Sequence, residues 1–180
     1  MTRILKLIPI TALLLILWLA PGCINEPDRG SIVRDGQQVP DFSVTLNDGT
    51  VADNETLRGR GGLILFFSTG CADCRMELPE VNQAYRMMYG EAGQHMENGT
   101  TPLFICIARA QTDPDIAAYW KLQDFTLPYS PQPDRKIYSL FAEQGIPRIY
   151  IVSRDLMIRK QYGDTGRPTA QQLFEDLSGL

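Results

Sequence analysis

The sequence has few of the residues that bind metals or nucleic acids. It contains one histidine, His95, and four cysteines among 180 residues. A structural zinc site normally takes four such ligands, and no second pair accompanies the closely spaced Cys71 and Cys74, so we expect no metal. The 17 Lys and Arg face 21 Asp and Glu without forming a basic block, which gives a net charge of −4 and argues against nucleic acid.

The chain also lacks an apolar run of the roughly 18–20 residues that a membrane-spanning helix needs. Its longest run, residues 10–20, is broken by Thr11 and follows the basic residues Arg3 and Lys6. A basic start, a short apolar core and small residues before a cleavage site are typical of a secretory signal, with a signal-anchor as the alternative. We assign residues 1–22 to a signal peptide, and its removal changes the net charge to −6.

The signal is followed by Ala20-Pro21-Gly22-Cys23, which resembles the bacterial lipobox, although Leu19 lies one place further from Cys23 than usual and Pro21 is atypical. The resemblance implies that Cys23 is lipidated and anchors the chain, because two or more acyl chains give stable membrane attachment. The alternative is a cleaved soluble protein with an incidental cysteine. We assign residues 23–38 to a polar tether and residues 39–180 to one domain, which is long enough for a proper core.

Cys71 and Cys74 lie three positions apart, between two segments of different pattern. Residues 63–67 are all apolar, as in a strand covered on both sides, and the run from Ala72 has helical periodicity. A helix N-terminus stabilises a thiolate, the nucleophile in disulfide exchange. Cys71 would attack and Cys74 would resolve, so the pattern predicts a thiol–disulfide oxidoreductase with a redox-active pair and no other cofactor. Cys106, in an apolar run, is expected to be buried and inert.

Periodicity predicts an α/β domain that opens with a β-hairpin. Residues 41–46 alternate as a half-buried strand does, and an Asn-Asp-Gly turn follows them. The predicted elements after the hairpin are a strand over 63–67, a helix over 72–89 kinked at Pro79, a strand over 102–108, helices over 113–124 and 134–144, strands over 148–152 and 156–162, and a helix over 169–177 capped by Thr169. We expect the 134–144 helix to bury Ile137, Leu140 and Phe141. This order predicts a mixed central sheet flanked by helices.

From about residue 38 to its C-terminus the chain resembles the thioredoxin superfamily, and within it the extracytoplasmic TlpA/ResA type of thiol–disulfide oxidoreductase. The likeness consists of a Pro-Asp-Phe entry at residues 40–42, the strand–Cys-x-x-Cys–helix unit, the Glu-Leu-Pro at residues 77–79 and the Gly-Ile-Pro at residues 145–147 before a strand. It implies a thioredoxin-like fold with an N-terminal β-hairpin extension.

The resemblance also assigns roles to individual residues. It implies that Pro147 is the family's cis-proline opposite the cysteines and that the backbone of Ile146 binds the substrate chain; the alternative is a trans proline that opens a strand. It implies that Glu77 exchanges protons with Cys74, because a shielded carboxylate has a raised pKa; the alternative is a solvated helix charge.

The resemblance further implies the setting and the partners of the protein. We expect a membrane-anchored protein that faces the periplasm and reduces disulfides of envelope proteins, as in cytochrome c maturation. An upstream membrane thiol reductant would regenerate the dithiol, since the sequence shows no nucleotide or flavin motif.

The sequence departs from the family beside the cysteines. Gly70 replaces the usual tryptophan, and the dipeptide between the cysteines is Ala72-Asp73, without proline. A negative charge at Asp73 disfavours the thiolate and makes the pair more reducing, while the helix N-terminus opposes it by roughly 0.3–1 kcal/mol. We expect a reductant or isomerase rather than a strong oxidant.

Two other functions are compatible with the same fold. A peroxiredoxin-like peroxide reductase needs a threonine three residues before its reactive cysteine, usually with an upstream proline. Here Ser68 takes that position, and no proline lies between Arg60 and Cys71. A binding lipoprotein with an idle disulfide is the other alternative, and the presence of both cysteines argues against it.

Overall fold

The computed structural model describes residues 30–90, 100–163 and 166–180. The predicted signal peptide, Cys23 and His95 lie outside the described residues. The elements in chain order are β1 (Ser43–Thr45), β2 (Val51–Asp53), α1 (Asn54–Leu57), β3 (Gly62–Phe67), α2 (Ala72–Tyr89), β4 (Leu103–Ala108), α3 (Asp113–Gln123), β5 (Tyr129–Ser130), α4 (Tyr138–Phe141), β6 (Arg148–Val152), β7 (Ile158–Tyr162) and α5 (Ala170–Ser178).

A five-stranded mixed sheet with strand order β5-β4-β3-β6-β7 forms the centre of the domain. The central strand β3 is buried along its whole length, as its continuous apolar run predicts. It pairs parallel with β4 and antiparallel with β6. Because β3 and β4 are parallel, the segments that follow Phe67 and Ala108 leave the sheet at the same edge. The separate β1–β2 sheet is the expected N-terminal hairpin.

Helix α2 has the bounds that the sequence predicts and continues through Pro79. Its buried face includes Leu78, Val81 and Tyr85, which recur at helical spacing against the sheet. Helix α5 begins at a capping box in which Thr169 accepts a hydrogen bond from the Gln172 N–H, as expected for a cap. The predicted mixed sheet flanked by helices is therefore confirmed.

The predicted helix over residues 134–144 is wrong in length, because only α4 forms there. The side chain of Asp134 accepts a hydrogen bond from the Lys136 N–H, a local bond that competes with helix formation. The chain turns extended at Ala142. The buried face also differs from the prediction, since Leu140 is 40% exposed and Tyr138 is buried in its place.

The short elements α1 and β5 were not predicted. A capping box between Asp53 and Thr56 starts α1, and β5 forms only through its pairing with β4. Part of the segment assigned to the tether packs on the domain: Val33 is buried, and the Gly36 N–H donates to the Ile158 carbonyl. In the three described stretches, no helix is both long and apolar enough to cross a membrane.

Candidate active site

The two closely spaced cysteines lie at the start of α2, where the chain leaves the central strand. Cys71 is the N-cap residue and is partly exposed, and Cys74 is fully buried in the first turn. The Cys71 N–H donates to the Ser68 carbonyl at 3.1 Å. One thiol is thus open to a partner while the other is sealed behind it.

The Ile146–Pro147 peptide bond is cis, and this turn lies opposite Cys71. The Cys71 thiol donates to the Ile146 carbonyl at 3.6 Å. The hydroxyl of Tyr138 donates to the Gly145 carbonyl at 2.7 Å and ties α4 to the same turn. The fold therefore brings Cys71 into contact with Ile146, which lies 75 positions away in the sequence.

Glu77 is buried behind the cysteines with 1% of its surface exposed, so it is not a solvated helix charge. Neither carboxylate oxygen has a hydrogen-bond partner among the described residues. Burial raises the pKa of Glu77 to about 7, with a further increase from Glu80 and a smaller opposing effect of Arg167. Glu77 and Pro147 line the same small pocket, so the fold brings two of the predicted site residues together.

Burial also dominates the electrostatics of the second cysteine. It raises the pKa of the Cys74 thiol, and the neighbouring Cys71 raises it further, while a backbone hydrogen bond from Ser68 and the charge of Arg109 act in the opposite direction. Cys106 is fully buried in β4, and burial raises the pKa of its thiol as well. Across the described part of the chain, no three Cys, His, Asp or Glu residues are grouped as a metal site would require.

The loop before the cysteines is held by side chains that the sequence did not indicate. Gln111 accepts from the Thr69 N–H at 2.7 Å and donates to the Thr69 hydroxyl at 2.8 Å. The Arg75 guanidinium donates to the Thr69 carbonyl at 2.6 Å. Gln111 lies 42 residues from Thr69 in the chain, and no pattern in the sequence around Gln111 indicates this contact.

Asp73, between the cysteines, has a cationic neighbour. The Arg167 guanidinium lies 3.8 Å from its carboxylate, and both side chains are about half exposed. An exposed ion pair of this length is worth at most about 1 kcal/mol. Arg167 therefore offsets only part of the negative charge that Asp73 places beside the thiols.

The known proteins that this chain is similar to in sequence include thiol-disulfide oxidoreductases and a thioredoxin-like protein. No family model matches the chain. It is 24% identical over 138 residues to a thiol-disulfide oxidoreductase ResA of Bacillus cereus, covering 77% of this chain and 73% of that protein. It is 33% identical over 51 residues to the thioredoxin-like protein YneN of Bacillus subtilis (strain 168), which covers 28% of this chain and 30% of YneN.

Solved structures share the fold over most of the domain. A putative protein disulfide isomerase from Bacteroides thetaiotaomicron superimposes with a TM-score of 0.69 and 27% identity, covering 83% of this chain and 93% of the other. A thioredoxin-family thiol:disulfide interchange protein from Chlorobium tepidum TLS gives a TM-score of 0.63 at 21% identity, covering 82% and 97%. Together with the geometry at Cys71 and Cys74, these similarities show that the chain belongs to the thioredoxin superfamily and is a thiol–disulfide oxidoreductase.

Proposed function

We propose that the protein reduces disulfides of partner proteins, with Cys71 as nucleophile and Cys74 as resolving thiol. The observation that carries the proposal is the difference between the two thiols: Cys71 is accessible at a helix N-terminus and Cys74 is sealed beside it. Only the accessible sulfur can meet a partner, and only the sealed one is positioned to displace that partner afterwards.

The reaction proceeds in two exchanges. The Cys71 thiolate attacks one sulfur of the partner disulfide, which forms a mixed disulfide and releases the other partner sulfur as a thiolate that takes up a proton. Cys74 then loses its proton and attacks the Cys71 sulfur, which releases the second partner thiol and leaves the Cys71–Cys74 disulfide. Two electrons pass to the partner, and an upstream membrane thiol reductant returns them.

Glu77 is the proposed proton acceptor for Cys74. A pKa of about 7 leaves a substantial fraction of the carboxylate ionised at neutral pH, which suits exchange with a thiol. The carboxylate has no competing hydrogen bond among the residues described. We assign substrate binding to the Ile146 backbone next to Pro147, because its carbonyl already lies against Cys71.

The reductive direction is favoured by the surroundings of the pair. Burial holds Cys74 as a thiol, so this cysteine gains no stabilisation by ionising in the reduced protein. A strong oxidant needs the opposite, a reduced form stabilised as a thiolate. Envelope protein disulfides, including those of apocytochromes, are the proposed substrates.

Replacing Cys74 with serine is expected to arrest the reaction at the mixed disulfide. In Cys74→Ser, Cys71 still attacks, but no thiol resolves the product, so partner proteins accumulate in covalent complexes that dithiothreitol releases. Non-reducing electrophoresis followed by mass spectrometry identifies them. The double variant Cys71→Ser/Cys74→Ser is the control, and complexes of equal abundance in the control would contradict the assigned roles.

We further propose that Cys23 is lipidated and holds the domain on the extracytoplasmic face of a membrane. The support is the signal-like segment and the lipobox-like residues before Cys23. The full chain is expected in the membrane fraction, and Cys23→Ser should move most of it to the soluble fraction. Metabolic labelling with a clickable palmitate analogue reports the acyl chains directly, and equal labelling of both forms would contradict the anchor.

A further inference from the structure

Two arginines converge on one tyrosine beside the cis-proline turn. The guanidinium carbon of Arg109 lies 5.3 Å from the centre of the Tyr138 ring, and that of Arg135 lies 5.1 Å from it. Arg109 follows β4 directly, and the Ala110 N–H donates to the Asp134 carbonyl, which holds the two segments together. Stacking on an aromatic ring orients each guanidinium before a ligand arrives.

Neither guanidinium is neutralised within the described residues. Neither arginine takes part in the ion pairs that Arg58, Arg86, Lys136, Lys160 and Arg167 form among the described residues. The nearby Asp134 carboxylate forms an ion pair with the Lys136 ammonium group at 3.1 Å. Arg135 donates one bond to the Glu143 carbonyl. A guanidinium carries five N–H donors, so the two arginines keep most of their donors for a ligand.

The position of these arginines relative to the reacting sulfur follows from two hydrogen bonds. Tyr138 donates to the Gly145 carbonyl, and the carbonyl of the next residue, Ile146, accepts from Cys71. A partner chain that pairs along this turn with its cysteine on Cys71 advances by about 3.3 Å per residue. Side chains within about three residues of that cysteine are therefore the ones we expect to approach the arginines.

We propose that Arg109 and Arg135 form an anion-binding pair that selects partner proteins with an Asp or Glu side chain close to the disulfide under attack. Arginine forks bind carboxylates with two parallel hydrogen bonds, and such contacts fix register as well as adding affinity. The inference rests on the proposed reduction by Cys71 and Cys74 and adds the chemistry of the preferred substrate.

The test uses synthetic peptide dimers, each joined by one disulfide. The peptides carry Glu, Gln or Lys at one of the three positions on either side of the cysteine and are otherwise identical. Rates of reduction are divided by the rates with dithiothreitol to remove differences in intrinsic reactivity. We expect Glu to exceed Gln about tenfold in kcat/KM at one or more positions and Lys to be slowest. In Arg135→Gln, the Glu peptide should fall to the rate of the Gln peptide, which should itself stay within about twofold of wild type. In Arg109→Gln, where the charge also acts on Cys74, the ratio of the Glu rate to the Gln rate should fall to about one.

Arg58→Gln is the matched control, because it removes an equal charge from an arginine already paired with Glu55, and it should keep the preference for Glu. Equal wild-type rates for Glu and Gln peptides would overturn the inference while leaving the proposed function intact. An equal loss on all peptides in Arg109→Gln would also overturn it, because it would show that Arg109 acts on Cys74 rather than on the partner. If wild type reduces no peptide, the proposed function itself fails.

Discussion

Cys71→Ser is expected to lower the rate of insulin-disulfide reduction to the uncatalysed background, a loss of about three orders of magnitude or more. The physical reason is the identity of the nucleophile, since a serine hydroxyl ionises too weakly to attack a disulfide sulfur at neutral pH. The remaining thiols of the domain cannot substitute for it, because both Cys74 and Cys106 are fully buried. The measurement is the turbidity of precipitating insulin chains with dithiothreitol as electron donor.

Cys106→Ala is the control for this experiment. It removes a thiol from the fully buried strand β4, at a cost in stability of about 1–2 kcal/mol for the small cavity, and it should leave the rate per folded molecule unchanged. Equal and negligible rates in wild type and Cys71→Ser would instead favour a binding module with an idle disulfide. Consumption of hydrogen peroxide by wild type at rates comparable to disulfide reduction would favour the peroxiredoxin alternative.

The parts of the site that the sequence predicted depend on local patterns. A buried strand followed by an amphipathic run fixes where α2 starts, and with it the positions of Cys71 and Cys74 on that helix. The Asn-Asp-Gly turn likewise fixes the hairpin. The cis bond before Pro147 followed from the resemblance and not from any periodicity.

The parts that the sequence did not predict depend on contacts between distant segments. Gln111 holds Thr69, and Tyr138 holds Gly145, only because the fold brings β4, α4 and the cis-proline turn to one edge of the sheet. The length of α4 was missed for a related reason: helical spacing continues past Asp134, yet a local side-chain bond and an extended residue at Ala142 interrupt the helix. Hydrophobic periodicity alone predicts neither contacts between distant segments nor a local side-chain bond that interrupts a helix.

Glu77→Gln is expected to change how stability depends on pH. The pKa of Glu77 is raised from 4.5 to about 7 in the folded protein by burial, so the folded state holds this proton more tightly than the unfolded state. Its contribution to stability is therefore fully present below about pH 4.5 and is lost as the pH rises to about 7. Integrated over that window, the loss amounts to about 2 to 3 kcal/mol in the free energy of unfolding.

The measurement is urea unfolding of the reduced protein at a series of pH values from about 4.5 to about 8. In Glu77→Gln the amide does not ionise, so the decrease of about 2 to 3 kcal/mol between about pH 4.5 and about pH 7 should disappear. Glu55→Gln is the matched control, since the Glu55 side chain is 80% exposed, and it should retain the wild-type decrease. Parallel pH profiles for wild type and Glu77→Gln would mean that Glu77 ionises as freely in the folded protein as in the unfolded chain. A carboxylate with that ordinary acidity is too weak a base to take the proton of Cys74 efficiently, so this result would contradict the role proposed for Glu77.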